Sequence, residues 1–162
     1  MVTIRRAQPD DFAELALILN EHVEDGTSTA ICIPMSNTEL LEWMQGGGNK
    51  ASWWVAIEND SIVVAGFQFI EPSQTPSTCE IATFVRKGHE RKGIGGSLLF
   101  AQTKQVALDL GYLSIHATIR EDNVSGLHYY SSRGFQSYGL IKNHQLENGK
   151  VVNKVIKRLE LT

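Results

Sequence analysis

His89-Glu90-Arg91-Lys92-Gly93-Ile94-Gly95-Gly96-Ser97-Leu98-Leu99 (HERKGIGGSLL) is the stretch on which the reading of this chain turns. Two basic residues run into three glycines within four positions, and an apolar, helix-like run follows. Glycines between a strand and a helix let a ligand approach the backbone closely. They leave the first free N–H groups of the helix aimed at that ligand, with the positive end of the dipole behind them. Such a place suits an anion, best a pyrophosphate. Arg86, Lys87, Arg91 and Lys92 against Glu90 give the segment a local charge of +3 in a chain whose net charge is −3. There is no GxxxxGK[ST] and no GxGxxG in this loop, which disfavours a P-loop nucleotidase and a dinucleotide-binding Rossmann unit. A bare glycine cluster also fits a plain strand-to-helix turn, so the order of the surrounding elements has to decide.

Before the glycines, residues 79–85 read as a strand. After them a helix is expected over about 93–110, closed by Gly111. Upstream, 3–6 is a short strand, and Pro9-Asp10-Asp11 opens a helix whose Phe12, Leu15, Ala16, Leu19 and Val23 lie on one face. Residues 26–34 break it. Ser36 and Glu39 have capping-box spacing, so a second helix runs to about Met44. Residues 52–57 and 62–70, around Asn59-Asp60, suit a hairpin, and 71–77 is a polar loop. Downstream come a strand over 113–119, a helix over 124–133 stopped by Gly134, a strand over 135–142, and Asn148-Gly149 turning into a last strand over 151–161. The order β-α-α-β-β-β-α-β-α-β-β predicts an α/β (α+β) chain with a mixed, mostly antiparallel sheet of about seven strands flanked by helices. Ligands in such sheets sit where strand order or direction switches, and the strand over 79–85 delivers the glycine loop to such a point.

At 162 residues, with 42% hydrophobic and 20% charged residues, the chain suits one domain over 1–162. The acidic balance argues against a nucleic-acid partner. No run approaches a membrane span, and the N-terminus lacks a signal-peptide core. Cys32 and Cys79 are isolated and match reduced thiols of a cytoplasmic protein. His22, His89, His116, His128 and His144 form no HExxH or HxH cluster, so no metal is expected.

In this order of elements, EIATFVRKGHERKGIGGSLL (80–99) resembles the acetyl-CoA-binding strand, loop and helix of the GNAT superfamily of N-acetyltransferases. The later N-x-x-G-x-x-x-Y-x-x-x-G-F, from Asn123 to Phe135, resembles that superfamily's second characteristic stretch. Within it the chain is similar to the phosphinothricin N-acetyltransferase-like branch, through the HxRKGIG-type loop, Thr27-Ser28-Thr29 after the first helix and Trp43 in the second. The likeness spans about residues 3–161. It departs from the Gln/Arg-x-x-Gly-x-Gly/Ala pattern at Glu90, a carboxylate expected to turn aside and pair with Arg91 or Lys87. It departs again at 149–153, where the branch carries a tryptophan and an Asp or His.

The resemblance implies a GNAT-like fold and direct acetyl transfer from acetyl-CoA to the amine of a small molecule, an amino-acid analogue such as phosphinothricin or methionine sulfoximine. Glu80 alternates onto the strand face of Ala82 and Phe84. A mid-strand carboxylate there fits a salt bridge or an edge position, or a general base for the amine, the role of the branch's glutamate at this position. Tyr130 corresponds to the tyrosine that protonates the CoA sulfur, with Tyr129 on another helical face. Asn123 caps its helix and corresponds to a pantetheine contact. Phe84, Val85, Arg91, Lys92, Gly93, Ile94, Gly95, Gly96 and Ser97 correspond to the CoA-binding strand and cradle, the backbone N–H near Phe84 or Val85 being the expected oxyanion donor. Thr27, Ser28, Thr29 and Trp43 border the expected acceptor site, and His144 near the last hairpin is a further candidate for its lining. The related enzymes imply a homodimer. A non-catalytic acyl-CoA-binding module and an acetyltransferase for a protein amine are the alternatives; Glu80 and Tyr130 together disfavour the first.

Overall fold

The computed structural model describes residues 1–90 and 98–161. Strand β1 (Val2–Arg6) leads into a 3-10 turn over Pro9–Asp11, with proline and two acids where a helix start favours them. Helix α1 (Phe12–Asp25) buries the expected Phe12, Leu15, Ala16, Leu19 and Val23, and Ile18 beside them. Gly26 ends it at φ 81°, a left-handed conformation that glycine adopts without steric cost. Helix α2 (Asn37–Gly46) begins as the spacing predicts. The Ser36 hydroxyl accepts from the Glu39 N–H at 3.1 Å, and the Glu39 carboxylate accepts from the Ser36 N–H at 2.9 Å. Replacing Ser36 by Ala is expected to cost about 1 kcal/mol. The readout is a lower urea midpoint at unchanged slope; an unmoved midpoint would show that the cap contributes nothing to stability.

Strands β2 (Ser52–Glu58), β3 (Val63–Pro72) and β4 (Thr78–Val85) form an antiparallel meander with β1. Helix α3 (Phe100–Asp109) lies in the crossover to β5 (Ser114–Arg120), which runs parallel to β4. Helix α4 (Val124–Ser132) and the hairpin of β6 (Gln136–Gln145) and β7 (Val151–Glu160) complete a seven-stranded mixed sheet in the order β1-β2-β3-β4-β5-β7-β6. Strand β6 runs further than the alternation suggests. Its ladder to β7 shifts between Ile141 and His144, with Asn143 at φ 55°, so the period of two breaks inside a continuing strand.

The sheet separates two main cores. On one face α1 and α2 cover Trp53, Phe67, Phe69 and Phe84. On the other, α3 and α4 pack over Ile70, Cys79, Ile81, Ile115 and Ile119. Strand β4 feeds both by simple alternation: Ala82 and Phe84 go to the first, Cys79 and Ile81 to the second.

One irregularity positions everything that follows. Strands β4 and β5 pair only at Thr78↔Ser114, Cys79↔Ile115 and Glu80↔His116. Both strands continue, β4 against β3 as far as Val85 and β5 against β7 as far as Arg120. Between them opens a wedge. At its closed end the buried hydroxyls of Thr78 and Ser114 lie 2.8 Å apart, and the Leu113 N–H donates to the Ser77 carbonyl at 2.8 Å.

Candidate active site

The wedge holds a cavity of about 480 Å³. Its β4 wall is a free strand edge. The Arg86 N–H donates to the Ala65 carbonyl of β3 at 2.7 Å. Since successive residues of a strand address opposite edges, the N–H groups of Val85 and Thr83 face the wedge, and that of Phe84 faces β3. The Val85 carbonyl, on the open edge, accepts from His22 Nε2 at 2.8 Å, and His22 Nδ1 lies 2.9 Å from the Ser28 hydroxyl. Because the Val85 carbonyl can only accept, Nε2 carries a proton.

Glu80 stands where β4 and β5 part. Register carries one face across the sheet: Glu71 opposite Glu80, Glu80 level with His116, then Thr118 and Arg120 along β5, and Lys154 of β7 opposite Arg120. Trp43 Nε1 donates to Glu71 at 2.8 Å, with its ring edge-on to Phe69. Burial pushes the Glu80 carboxyl above the ordinary range, and Glu71 adds to this. The Thr118 hydroxyl and N–H and the Lys154 ammonium oppose the rise without cancelling it. Glu80 is thereby a carboxylate able to take a proton closer to neutrality than an exposed one.

The opposite wall comes from α4. The Asn123 side chain accepts from the Gly126 N–H at 3.0 Å, capping the helix, and its Nδ2 donates to the Ser28 carbonyl at 3.3 Å. A Cβ on Gly126 would collide with that folded-over side chain, which explains the glycine three residues after the cap. Tyr130 is only 7% exposed, and its hydroxyl lies 2.9 Å from Thr83 Oγ1. The fully buried Gln68 donates through Nε2 to Thr83 Oγ1 at 2.9 Å and to the Tyr129 oxygen at 3.2 Å. Tyr129 therefore converges on the same network as Tyr130, with ring centroids 4.8 Å apart, although neighbouring helical residues start on different faces. Burial pushes both tyrosine hydroxyls up, so at neutral pH both are protonated and can donate.

Of the remaining sequence candidates, Ser28, Thr29 and Trp43 line the cavity with Phe84, Val85 and Asn123. Thr27 does not line it; its hydroxyl turns to Asp25 at 2.9 Å. Thr29 is fixed through its carbonyl, which accepts from Arg120 at 3.1 Å; the same buried guanidinium grips Asp122 with two further bonds at 2.9 and 2.7 Å. Glu90 also lines the cavity, but it accepts from the Gly88 N–H at 2.9 Å, and Lys87 pairs with Asp25 at 3.5 Å instead. Arg91, Lys92, Gly93, Ile94, Gly95, Gly96 and Ser97 lie outside the described residues. His22, Gln68, Arg120 and Lys154 were not singled out by sequence, because each acts through a partner on another element, 15 or more residues away.

A second cavity of about 440 Å³ adjoins the first, sharing Ala30, Ile31 and Trp43, and is lined further by Met35, Leu146, His144 and Lys154.

The acetyltransferase (GNAT) domain family matches residues 49–137. YwnH of Bacillus subtilis (strain 168), described as a candidate phosphinothricin acetyltransferase, is 26% identical over 99% of this chain and all of its own. A crystal structure of a candidate phosphinothricin N-acetyltransferase is 25% identical, superposing with a TM-score of 0.86 over 100% of this chain and 99% of that one. A GNAT superfamily phosphinothricin acetyltransferase from Sinorhizobium meliloti, solved with AcCoA, shares the fold at a TM-score of 0.85 and 22% identity, over 98% of this chain and 88% of its own. With more than half of the chain matched by one family and the parted β4 and β5 at the middle of that match, this protein belongs to the GNAT acetyltransferases.

Proposed function

We propose that the protein transfers the acetyl group of acetyl-CoA to the amine of a small molecule, an amino-acid analogue of the phosphinothricin or methionine sulfoximine kind, by direct attack in a ternary complex. The observation that carries this reading is the wedge itself. Its free β4 edge offers backbone donors and acceptors to the amides of an extended pantetheine, as a strand edge does to an added strand. Acetyl-CoA supplies an activated acyl group as a thioester.

The chain's residues supply the rest. Glu80 takes the proton that the amine must lose as its C–N bond forms. The Val85 N–H, on the open edge, donates to the oxygen on which charge collects. Tyr130 gives its proton to the sulfur as the C–S bond breaks. Thr83 already accepts from Gln68, so its own hydrogen is available to the Tyr130 oxygen, leaving the tyrosine O–H to point into the cavity. Ser28, Thr29 and Trp43 border the acceptor, while Thr27 has no part in this reading. The reading extends to one cytoplasmic catalytic domain acting as a homodimer. Two unpaired cysteines and the exposed outer strand β6, with Tyr138, Leu140 and Ile141 on its surface, support that extension.

The test is thiol release from acetyl-CoA against amino acids, sulfoximines, polyamines and aminoglycosides, with the product identified by mass. Release with amino-acid analogues is the expected result. Tight acetyl-CoA binding without release over any amine would make the chain a binding module instead.

A further inference from the structure

The two adjoining cavities contain an acid and a base, each without a counter-ion, on one sheet face. Glu80 is on β4 and Lys154 on β7, with β5 between them. Glu80 lies level with His116 and Lys154 with Arg120, four residues further along β5 and so roughly 13 Å by backbone rise. Among the described residues the Lys154 ammonium forms no ion pair and donates no hydrogen bond, and Glu80, which Thr118 holds, forms no ion pair. The other strong cation at this place, Arg120, is already spent on Asp122 and the Thr29 carbonyl. Glu71 is likewise occupied by Trp43. What remains without a counter-ion is the Glu80 carboxylate lining the first cavity and the Lys154 ammonium lining the second, whose two carboxylates are Glu39, held at the Ser36 cap, and the exposed Glu147.

Resting on the acetyl-transfer reading above, we propose that Lys154 binds the carboxylate of the acceptor, so that an α-amino acid spans the seam with its amine at Glu80 and its acid at Lys154. The two protein charges are the complement of a zwitterion. Each feels the other, yet neither neutralises it, and a ligand carrying both charges satisfies each at once. Burial pushes Glu80 up and pulls Lys154 down, as desolvation does to charges awaiting partners. A lysine suits this task because its ammonium is a point charge on a flexible stem and imposes no forked geometry. The second cavity beyond it, with Ile31, Met35, Trp43 and Leu146, leaves room for the amino acid's own side chain. The selectivity that follows is for the charge pair: an amine without an acid leaves the ammonium unanswered, which is how a polar site rejects an incomplete ligand.

The experiment compares L-methionine sulfoximine, its α-carboxamide and the corresponding decarboxylated amine by thiol release, in the wild type, Lys154→Met and Lys154→Arg. The expected result is a wild-type preference in kcat/KM for the acid over the carboxamide. That ratio falls on the order of tenfold to a hundredfold in Lys154→Met, and Lys154→Arg restores most of it. A loss confined to folding would lower all three substrates alike and leave the ratio untouched. Equal ratios in wild type and Lys154→Met would overturn the carboxylate site while leaving the acetyltransferase reading intact. Absence of thiol release from every amine would overturn that reading, and this site with it.

Discussion

Glu80→Gln is expected to lower kcat on the order of a hundredfold to a thousandfold and to raise, not lower, the melting temperature at neutral pH. The first half follows from the role: glutamine keeps the shape and the hydrogen-bonding reach but cannot take a proton. The acidic limb of the wild-type pH–rate profile should lie above the ordinary carboxylate range, because burial raises the Glu80 pKa, and the variant should lose that limb. The second half follows from linkage. A folded-state pKa above the unfolded one means that the folded chain holds the proton more tightly. That contribution to stability is complete below the unfolded pKa and disappears as pH rises through the folded value. At neutral pH the charged, desolvated carboxylate beside Glu71 is a cost, and glutamine removes it. A carboxylate that served only the fold would behave the opposite way, with stability lost and turnover kept. Full activity across pH in Glu80→Gln would eliminate the base assignment.

Tyr130→Phe is expected to reduce kcat on the order of tenfold to a hundredfold, with little change in KM for the amine. The phenyl ring keeps its edge contacts with Tyr129 and Phe135, at 4.8 and 5.2 Å between centroids, so packing survives. What is lost is one hydroxyl, which also leaves Thr83 short of a partner, at a cost of about 1 kcal/mol in stability. Since burial raises the Tyr130 pKa, the hydroxyl remains a donor throughout the ordinary assay range, and the alkaline limb belongs beyond the usual tyrosine value. Tyr129→Phe is the comparison. Both hydroxyls reach the Gln68 and Thr83 network, so the larger loss of kcat identifies which one serves the sulfur. A larger loss in Tyr129→Phe would transfer the role to that residue.

Much of this was legible in the residues because the signals were local. The S-x-x-E cap, the apolar face of α1, the period-two runs and Asn148-Gly149 each specify a backbone conformation within a few positions. Glu80 was legible by contrast, as a carboxylate amid apolar neighbours in a strand. The parting of β4 and β5 was not, since it depends on how many residues of two strands pair, and neither strand records its partner. Tyr129 was misplaced because a face was assigned from the Cα position, whereas the long ring swings toward Gln68. Lys154 gave no sign at all. In the sequence it is one lysine among charged and apolar neighbours, and only the register of β5 against β7 brings it to the face of Glu80.

The last of the three residue pairs that join β4 to β5 is that of Glu80 itself, so the carboxylate stands at the vertex of the wedge. The three pairs hold together two half-sheets, β1 to β4 on one side and β5, β7 and β6 on the other. The ladder closes at the Thr78–Ser114 hydroxyl contact, and Val85 and Asn123 line the cavity beyond its open end. Where that ladder stops thus fixes both the place of Glu80 and the length of β4 edge left open.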